Sequence, residues 1–259
     1  MNPVRNFVLS DCKDDISNGM KGVILAGGSG SRLYPLTLVT NKHLLPIYNK
    51  PMIYYPISTL VEAGIKDILL VTGGEMAGDF LRLLGNGKEF ALERLSYTYQ
   101  KGSGGIAAAL SLAEDFAEKQ KIVVILGDNI IEGSIKKYVE DYQKQKNGAK
   151  VFLKEVKHPE RFGVAEIKDG KIISIEEKPK KSKSNFIVTG IYMYDGEVFN
   201  IIRGLKPSAR GELEITDVNN YYLKKGLLTY DILDGFWSDA GTFDSLLLAN
   251  NLMAERVKK

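Results

Sequence analysis

The chain has 259 residues, of which 44% are hydrophobic and 26% charged, the balance of a folded globular protein rather than a disordered one. Its net charge of +3 is too small to indicate a nucleic-acid or membrane surface. No apolar run approaches the roughly 20 residues of a membrane span. Cys12 is the only cysteine, which excludes an internal disulfide and a thiolate-rich metal site and is compatible with a cytoplasmic location.

Residues 1–19 show no sustained periodicity, and we expect a flexible N-terminal tail there. From residue 20 to about 148, apolar runs of strand length alternate with helical patterns. The predicted strands are 23–26, 68–71, 95–99 and 122–126, and the predicted helices are the segment ending near 63, then 76–84, 105–118 and 134–146. This alternation predicts an α/β fold with a doubly wound, mostly parallel (Rossmann-like) sheet covered on both faces.

After residue 148 the pattern changes to closely spaced strands. The predicted strands are 150–156, 164–167, 171–176 and 186–194, and the later helices are 198–203, 215–225 and 243–257. Asp169-Gly170 between two alternating runs predicts a β-hairpin. We therefore expect an antiparallel elaboration in the second half of a single domain that spans residues 20–259.

The most informative motif is the run Leu25-Ala-Gly-Gly-Ser-Gly-Ser-Arg-Leu33. Glycines after a buried strand allow a sharp turn whose amide groups face phosphate oxygens. A dinucleotide-binding fingerprint needs a third glycine at Leu33, which counts against a nicotinamide-dependent oxidoreductase, and a Walker loop needs Gly-Lys-Ser/Thr at 32–34. Arg32 is suited to bidentate phosphate capture. The alternative is a tight turn with a surface arginine.

Two aspartates follow structural boundaries. Asp128 comes directly after the apolar strand 122–126, at the edge where open α/β sheets bind ligands, and Asp239 precedes small residues and a helix. Two such acids can share one Mg²⁺. Alternatively, Asp128 begins a turn, and Asp239 or Thr242 caps the last helix.

Lys42 lies beside an apolar segment that ends at a proline, and on this evidence alone a solvated surface lysine is favoured. His43 and His158 are expected to be structural or exposed rather than catalytic. Two distant histidines and one cysteine leave little from which to build a nucleophilic triad or a zinc cluster.

Taken together in chain order, the motifs resemble those of the sugar-phosphate nucleotidyltransferases over residues 20 to about 253. The resemblance rests on the motifs at 25–33, 42–46, 50–56, 126–129, 159–164, 176–179, 188–190, 206–217 and 237–242. Within that family the chain is most similar to enzymes that use dTTP and glucose 1-phosphate. Because it ends at Lys259, soon after the helix 243–257, we expect the short form of the family.

The resemblance implies formation of dTDP-glucose and pyrophosphate from dTTP and α-D-glucose 1-phosphate, with Mg²⁺ as cofactor, in a homo-oligomer. It implies a nucleotide-binding half at about 20–148 and a sugar-phosphate-binding half at about 149–259. The residues implied in nucleotide binding are Gly27, Gly28, Gly30, Ser31, Arg32, Lys42, Gln100, Gly105 and Asp128. Those implied in sugar-phosphate binding are Asn129, Gly163, Glu177, Lys178 and Val188. The implied catalytic residues are Arg32, Lys42, Asp128, Lys178 and Asp239, with Asp128 and Asp239 as the metal ligands.

The implied chemistry suits this residue inventory. The nucleophile is a phosphate oxygen whose second pKa is about 6, so no side chain needs to remove a proton at neutral pH. Catalysis then consists of alignment and charge neutralisation by arginine, lysine, Mg²⁺ and loop amides. UTP or another sugar 1-phosphate as the preferred substrate, and a non-catalytic nucleotide-sugar-binding protein, remain alternatives, although both acids and all three cations (Arg32, Lys42 and Lys178) are present.

Overall fold

The computed structural model describes residues 19–28 and 30–257, so the tail expected at 1–19 lies outside the described residues apart from Gly19. The strands are β1 (Lys21–Ala26), β2 (Pro46–Ile47), β3 (Lys50–Pro51), β4 (Asp67–Gly73), β5 (Arg94–Gln100), β6 (Ile122–Leu126), β7 (Ile130–Ile131), β8 (Ala149–Glu155), β9 (Gly163–Lys168), β10 (Lys171–Glu177), β11 (Phe186–Tyr194), β12 (Leu228–Ile232) and β13 (Trp237–Ser238). The α-helices are α1 (Tyr54–Glu62), α2 (Ala77–Leu84), α3 (Ile106–Ser111), α4 (Glu114–Ala117), α5 (Lys136–Lys144), α6 (Glu197–Arg203), α7 (Ile215–Lys224) and α8 (Phe243–Val257).

One sheet of nine strands runs through both halves of the chain. Its main path is β10-β9-β11-β6-β1-β4-β5, and β8 joins it beside β11 and carries β12 on its other side. Strands β6, β1, β4 and β5 are parallel, whereas β11 is antiparallel to β6, β8 and β9. The predicted doubly wound α/β sheet with an antiparallel elaboration is therefore confirmed.

Apolar side chains cover both faces of the sheet. Along β1, Val23 and Leu25 point into one buried cluster and Ile24 into the other, as expected for a central parallel strand. Helices α3, α6 and α7 pack on the first face, and α1, α2 and α5 pack on the second. No helix within the described ranges has the length and apolar character that a membrane crossing requires.

The parallel strands end at a common edge, and this edge positions the site. Register pairs Leu25 with Leu126 and Gly73 with Gln100, so the loop after β1, the end of β5 and the turn after β6 lie side by side. Strand β11 pairs with β6 in the antiparallel direction, and this pairing brings the second half of the chain against the same edge.

Three local features refine the sequence predictions. Asp169 and Gly170 both have positive φ, 51° and 70°, which confirms the β9–β10 hairpin and matches a two-residue turn. The helix predicted over 105–118 is divided into α3 and α4 by a tight turn with bonds to carbonyls three residues earlier. Strand β12 was not predicted because it is a half-exposed edge strand with mixed polarity, held beside β8 by register and by the Lys150–Asp231 ion pair.

Substitutions at two glycines with positive φ allow the cost of backbone strain to be measured separately from the cost of steric overlap. Gly148 (φ 103°) begins the turn into β8, and a Cβ there would collide with the Leu227 carbonyl oxygen, whereas Gly133 (φ 90°) has open space around the same position. We expect Gly133→Ala to lower the free energy of unfolding by about 1 kcal/mol, from the positive φ alone. We expect Gly148→Ala to lower it by about 3 kcal/mol or more, because the carbonyl must also move. Urea-induced unfolding of both variants measures the difference, and equal losses would contradict it.

Candidate active site

The glycine loop folds tightly against the segment that follows it. Gly28 and Gly30 have φ values of 94° and 62°, which favour glycine. The Gly30 carbonyl accepts hydrogen bonds from the Leu33 amide (2.9 Å) and the Thr37 hydroxyl (3.1 Å). Leu33 is buried while Arg32 is exposed, so the turn anchors one side chain and presents the other.

Gln100 lies against the start of this loop. It is buried at the end of β5, and its amide nitrogen is 3.4 Å from the Gly105 carbonyl oxygen. A Cβ on Gly27 would lie only 2.7 Å from Gln100 Oε1. The structure therefore brings together Gly27, Gln100 and Gly105, three of the residues that the family resemblance implies in nucleotide binding.

Lys42 and Asp128 form a buried ion pair at the sheet edge. Lys42 Nζ lies 2.5 Å from Asp128 Oδ2, and the two side chains are 14% and 9% exposed. Asn129 Nδ2 donates to Asp128 Oδ1 at 3.1 Å. Burial alone would raise the pKa of Asp128, but the Lys42 charge and these hydrogen bonds outweigh it and hold the pKa below its ordinary value. The surface interpretation of Lys42 is wrong.

Arg32 approaches Asp128 at Gly241, and Asp239 is close enough to Asp128 to be affected by its charge. A Cβ on Gly241 would lie 3.0 Å from Arg32 Nη2 and 3.5 Å from Asp128 Oδ2. Burial first, and the proximity of Asp128 second, raise the pKa of Asp239 above its ordinary value. Arg161, whose Nη2 is 3.8 Å from Asp239 Oδ2, opposes that shift together with Arg32. Two carboxylates here repel each other in partly dehydrated surroundings, which is the electrostatic condition for binding a cation.

The turn and cap alternatives are partly correct. Asp128 does lie in a turn, since the Asn129 amide bonds to the Leu126 carbonyl at 3.0 Å. Thr242 does cap α8, since its hydroxyl accepts from the Ser245 amide at 3.3 Å. These backbone roles leave the carboxylate of Asp128 directed at Lys42.

A cavity of about 590 Å³ extends from this cluster into the second half of the chain. Eight of the residues that the family resemblance implies line it: Arg32, Asp128, Asn129, Gly163, Glu177, Lys178, Val188 and Asp239. Gly27, Gly28, Gly30, Ser31, Lys42, Gln100 and Gly105 are not part of this lining. The glycine loop and its neighbours are connected to the cavity by two residues of the lining: Arg32, which belongs to the loop, and Asp128, which contacts Lys42.

Glu177 anchors the far wall of the cavity. It ends β10 opposite Gly163 of β9, and its Oε2 accepts from the Thr216 hydroxyl at 2.6 Å. Its Oε1 lies 3.4 Å from Lys178 Nζ and 3.3 Å from Arg210 Nη2. Lys178 has a positive φ of 44°, and this left-handed turn lets two successive residues both line the cavity.

Asn129 joins the two halves of the site. Its Oδ1 accepts from the Gly190 amide at 2.9 Å and from the Trp237 indole at 2.7 Å. Any side chain on Gly190 would overlap the Asn129 amide. The same asparagine donates to Asp128, so strand β11 and the β13 segment are tied directly to the acid.

Sequence reasoning missed several polar residues of the lining. Arg161, Arg210, Thr216, Asn219 and Trp237 all contribute to it. All except Asn219 lie within motifs that carry the family resemblance, so the motifs marked the region without assigning these side chains a role.

The two histidines, His43 and His158, lie outside the cavity lining. Burial, followed by Lys42, lowers the pKa of His43 to about 3, and its Nδ1 lies 2.8 Å from Asn41 Oδ1. His158 has a side chain that is 78% exposed. The structural interpretation of His43 is supported by its burial between the glycine loop and the turn after β6.

Comparison with known proteins assigns the chain to a family. A sequence profile described as nucleotidyl transferase matches residues 21–256. The chain is 49% identical over 231 residues to a glucose-1-phosphate thymidylyltransferase of Neisseria meningitidis, covering 88% of this chain and 80% of that relative. It is 46% identical over 242 residues to the enzyme of that name from Mycolicibacterium smegmatis, covering 90% and 82%.

Solved structures agree with the sequence relatives. A Bacillus anthracis protein assigned to the glucose-1-phosphate thymidylyltransferases, crystallised with sucrose, has 58% identity and a TM-score of 0.87 over 90% of this chain and 94% of its own. A UDP-glucose pyrophosphorylase in complex with UDP-glucose has 25% identity and a TM-score of 0.79 over 92% and 99%. From the profile match and these relatives, the chain belongs to the nucleotidyl transferase family.

Proposed function

We propose that this protein transfers the thymidylyl group of dTTP to α-D-glucose 1-phosphate, forming dTDP-glucose and pyrophosphate. One observation carries the proposal: the Arg32, Lys42, Asp128 and Asp239 cluster lies where the glycine loop meets a cavity of sugar-phosphate size. The names of relatives with 46–49% identity over most of their length support the choice of substrates. Arg32 and Lys42 supply positive charge where a triphosphate meets that cavity.

The nucleotide is proposed to lie across the glycine loop. The amides of the loop residues Gly27, Gly28, Gly30 and Ser31 would face phosphate oxygens. Gln100, with the Gly105 backbone, would read the base, since a side-chain amide offers one donor and one acceptor edge to a pyrimidine. Arg32 and Lys42 would neutralise the triphosphate, for which Lys42 must exchange its present contact with Asp128.

The sugar phosphate is proposed to occupy the cavity. Glu177, which lies between the Thr216 hydroxyl and the side chains of Lys178 and Arg210, would accept hydrogen bonds from sugar hydroxyls. Gly163 and Val188 would contribute backbone groups, and Asn129 would hold the wall beside the acid. Lys178 and Arg210 would grip the phosphate; Arg210 is held for this by Glu214 at 2.7 Å.

The two acids fit Mg²⁺. Among the residues that the structure describes, no group of three or more His, Cys, Asp or Glu is arranged to hold a metal. Mg²⁺ nevertheless typically takes one or two carboxylates and completes its shell with phosphate oxygens and water. Asp128 and Asp239 both line the cavity, and burial, followed by the proximity of Asp128, raises the pKa of Asp239. When bound there, Mg²⁺ would supply charge neutralisation at the reacting phosphates.

The protein's own residues would then perform alignment and shielding. A sugar phosphate is mostly dianionic at neutral pH and needs no general base. Lys178 and Arg210 would hold this nucleophile, while Arg32 and Lys42 draw the anionic triphosphate toward it. The main barrier is the approach of two polyanions, and fixed cations in a partly dehydrated cavity lower it without forming a covalent bond to the substrate.

We place the reaction in the cytoplasm.

We expect dTTP to be the preferred nucleotide in a turnover assay. Purified protein with Mg²⁺ and glucose 1-phosphate should release pyrophosphate from dTTP, with a kcat/KM higher than for UTP, CTP, ATP or GTP. We expect a site that reads a pyrimidine through Gln100 to disfavour the larger purines, whereas UTP differs by one methyl group and should be rejected only modestly, by about tenfold. A higher kcat/KM with UTP would transfer the proposal to uridylyl chemistry. Binding of dTDP-glucose without turnover of any nucleotide would indicate a non-catalytic binding protein.

We expect Asp128→Asn and Asp239→Asn each to reduce kcat by about a hundredfold or more, because each removes charge from the proposed metal site. Circular dichroism and thermal unfolding should show a retained fold. Asp244→Asn is a matched control, since Asp244 is exposed in the first turn of α8 and lies outside the cavity. A near-normal kcat in either variant would contradict the proposed metal-binding role of that aspartate and leave it only its position in the turn or before the helix.

A further inference from the structure

Two buried polar atoms at the cavity have no hydrogen-bond partner. They are Thr189 Oγ1 and Asn219 Nδ2, and within residues 19–28 and 30–257 they are the only buried side-chain nitrogen or oxygen atoms in this condition. Both residues line the cavity and are about 1% exposed. An unpaired buried donor lowers stability, so its presence in a binding cavity points to a partner that arrives with the ligand.

The orientation of the Asn219 side chain is fixed by Tyr194. The Tyr194 hydroxyl donates to Asn219 Oδ1 at 2.6 Å, which leaves the buried amide nitrogen as the end without a partner. Tyr194 is itself stacked between Tyr192 and Tyr222, with ring centroids 5.9 Å apart on each side. Tyr222 in turn donates to Asp195 at 2.6 Å. This column holds the amide rigidly, as a group that selects among ligands requires.

The chemistry around Asn219 suits a neutral partner. The cations of the cavity, Arg32, Arg161, Lys178 and Arg210, provide for the phosphate. Asn219 and its hydrogen-bond partner Tyr194 are uncharged, and an amide N–H pairs well with a neutral hydroxyl oxygen. The unpaired atom, Asn219 Nδ2, is a hydrogen-bond donor, so its partner on the ligand must be an acceptor.

We propose that Asn219 is a specificity-determining residue that donates a hydrogen bond to one hydroxyl oxygen of the sugar, with Tyr194 as its positioning residue. This inference rests on the proposed function, because it takes the cavity as the sugar-phosphate site. A site built to bond a hydroxyl discriminates against an analogue that lacks it, since the buried donor is then left unpaired.

The test compares glucose 1-phosphate with its 2-, 3-, 4- and 6-deoxy analogues at saturating dTTP. The variant is Asn219→Leu with Tyr194→Phe, which removes both partners of the internal hydrogen bond and so leaves neither of them buried and unpaired. Its matched control is Asn220→Leu on the same helix, since the Asn220 amide bonds to the Ile175 carbonyl at 2.9 Å and lies outside the cavity. Asn219→Ala is the second variant if the double variant unfolds.

We expect the double variant to lose about tenfold in kcat/KM with glucose 1-phosphate. With one deoxy analogue that loss should disappear, because wild type has no hydroxyl there to bond, and the same analogue should stand out with Asn219→Ala. Asn220→Leu should keep the wild-type ranking. Equal losses with glucose 1-phosphate and all four analogues, or no loss at all, would overturn the inference while wild-type turnover leaves the proposed function standing. Absence of wild-type turnover would instead overturn the proposed function and this inference with it.

Discussion

The buried contact between Lys42 and Asp128 is the interaction on which the site depends. It brings a cation from the first crossover segment to an acid just after β6, and it outweighs the effect of burial, which would raise the pKa of Asp128. Burial first, and the proximity of Asp128 second, raise the pKa of Asp239, and its contact with Arg161 is longer, at 3.8 Å. The site therefore holds two neighbouring carboxylates. Lys42 neutralises Asp128, whereas Asp239 is repelled by Asp128.

Glycines make this crowding possible. Gly241 admits the Arg32 guanidinium and the Asp128 carboxylate to the same place, Gly27 admits Gln100, and Gly190 admits Asn129. A Cβ at any of these three positions would displace the polar group that the site uses. Close packing of charges against backbone, rather than a large set of catalytic side chains, is thus the structural solution that the chain adopts.

Much of the architecture could be predicted from sequence, because its determinants are local. The apolar run of β6, the alternation before residue 148 and the Asp169-Gly170 turn each specify their own structure. Asp128 was a good candidate because the end of a parallel strand is a recurrent ligand position. Arg210 and Asn219 could not be assigned roles in this way, because their environment is created by β10 and β11, which are distant in sequence. The burial of Lys42 likewise depends on the folded sheet edge, so its local sequence favoured the wrong interpretation.

In the proposed reaction the sugar phosphate attacks the α-phosphorus of the nucleotide directly, and the enzyme contributes alignment and positive charge but no covalent bond. The stereochemistry at that phosphorus is the most direct measurement. With dTTP carrying a single-configuration sulfur at the α-phosphorus, one in-line displacement predicts inversion of configuration in the thio-substituted dTDP-glucose. Retention of configuration would require two displacements through a nucleotidylated enzyme, and it would contradict the account.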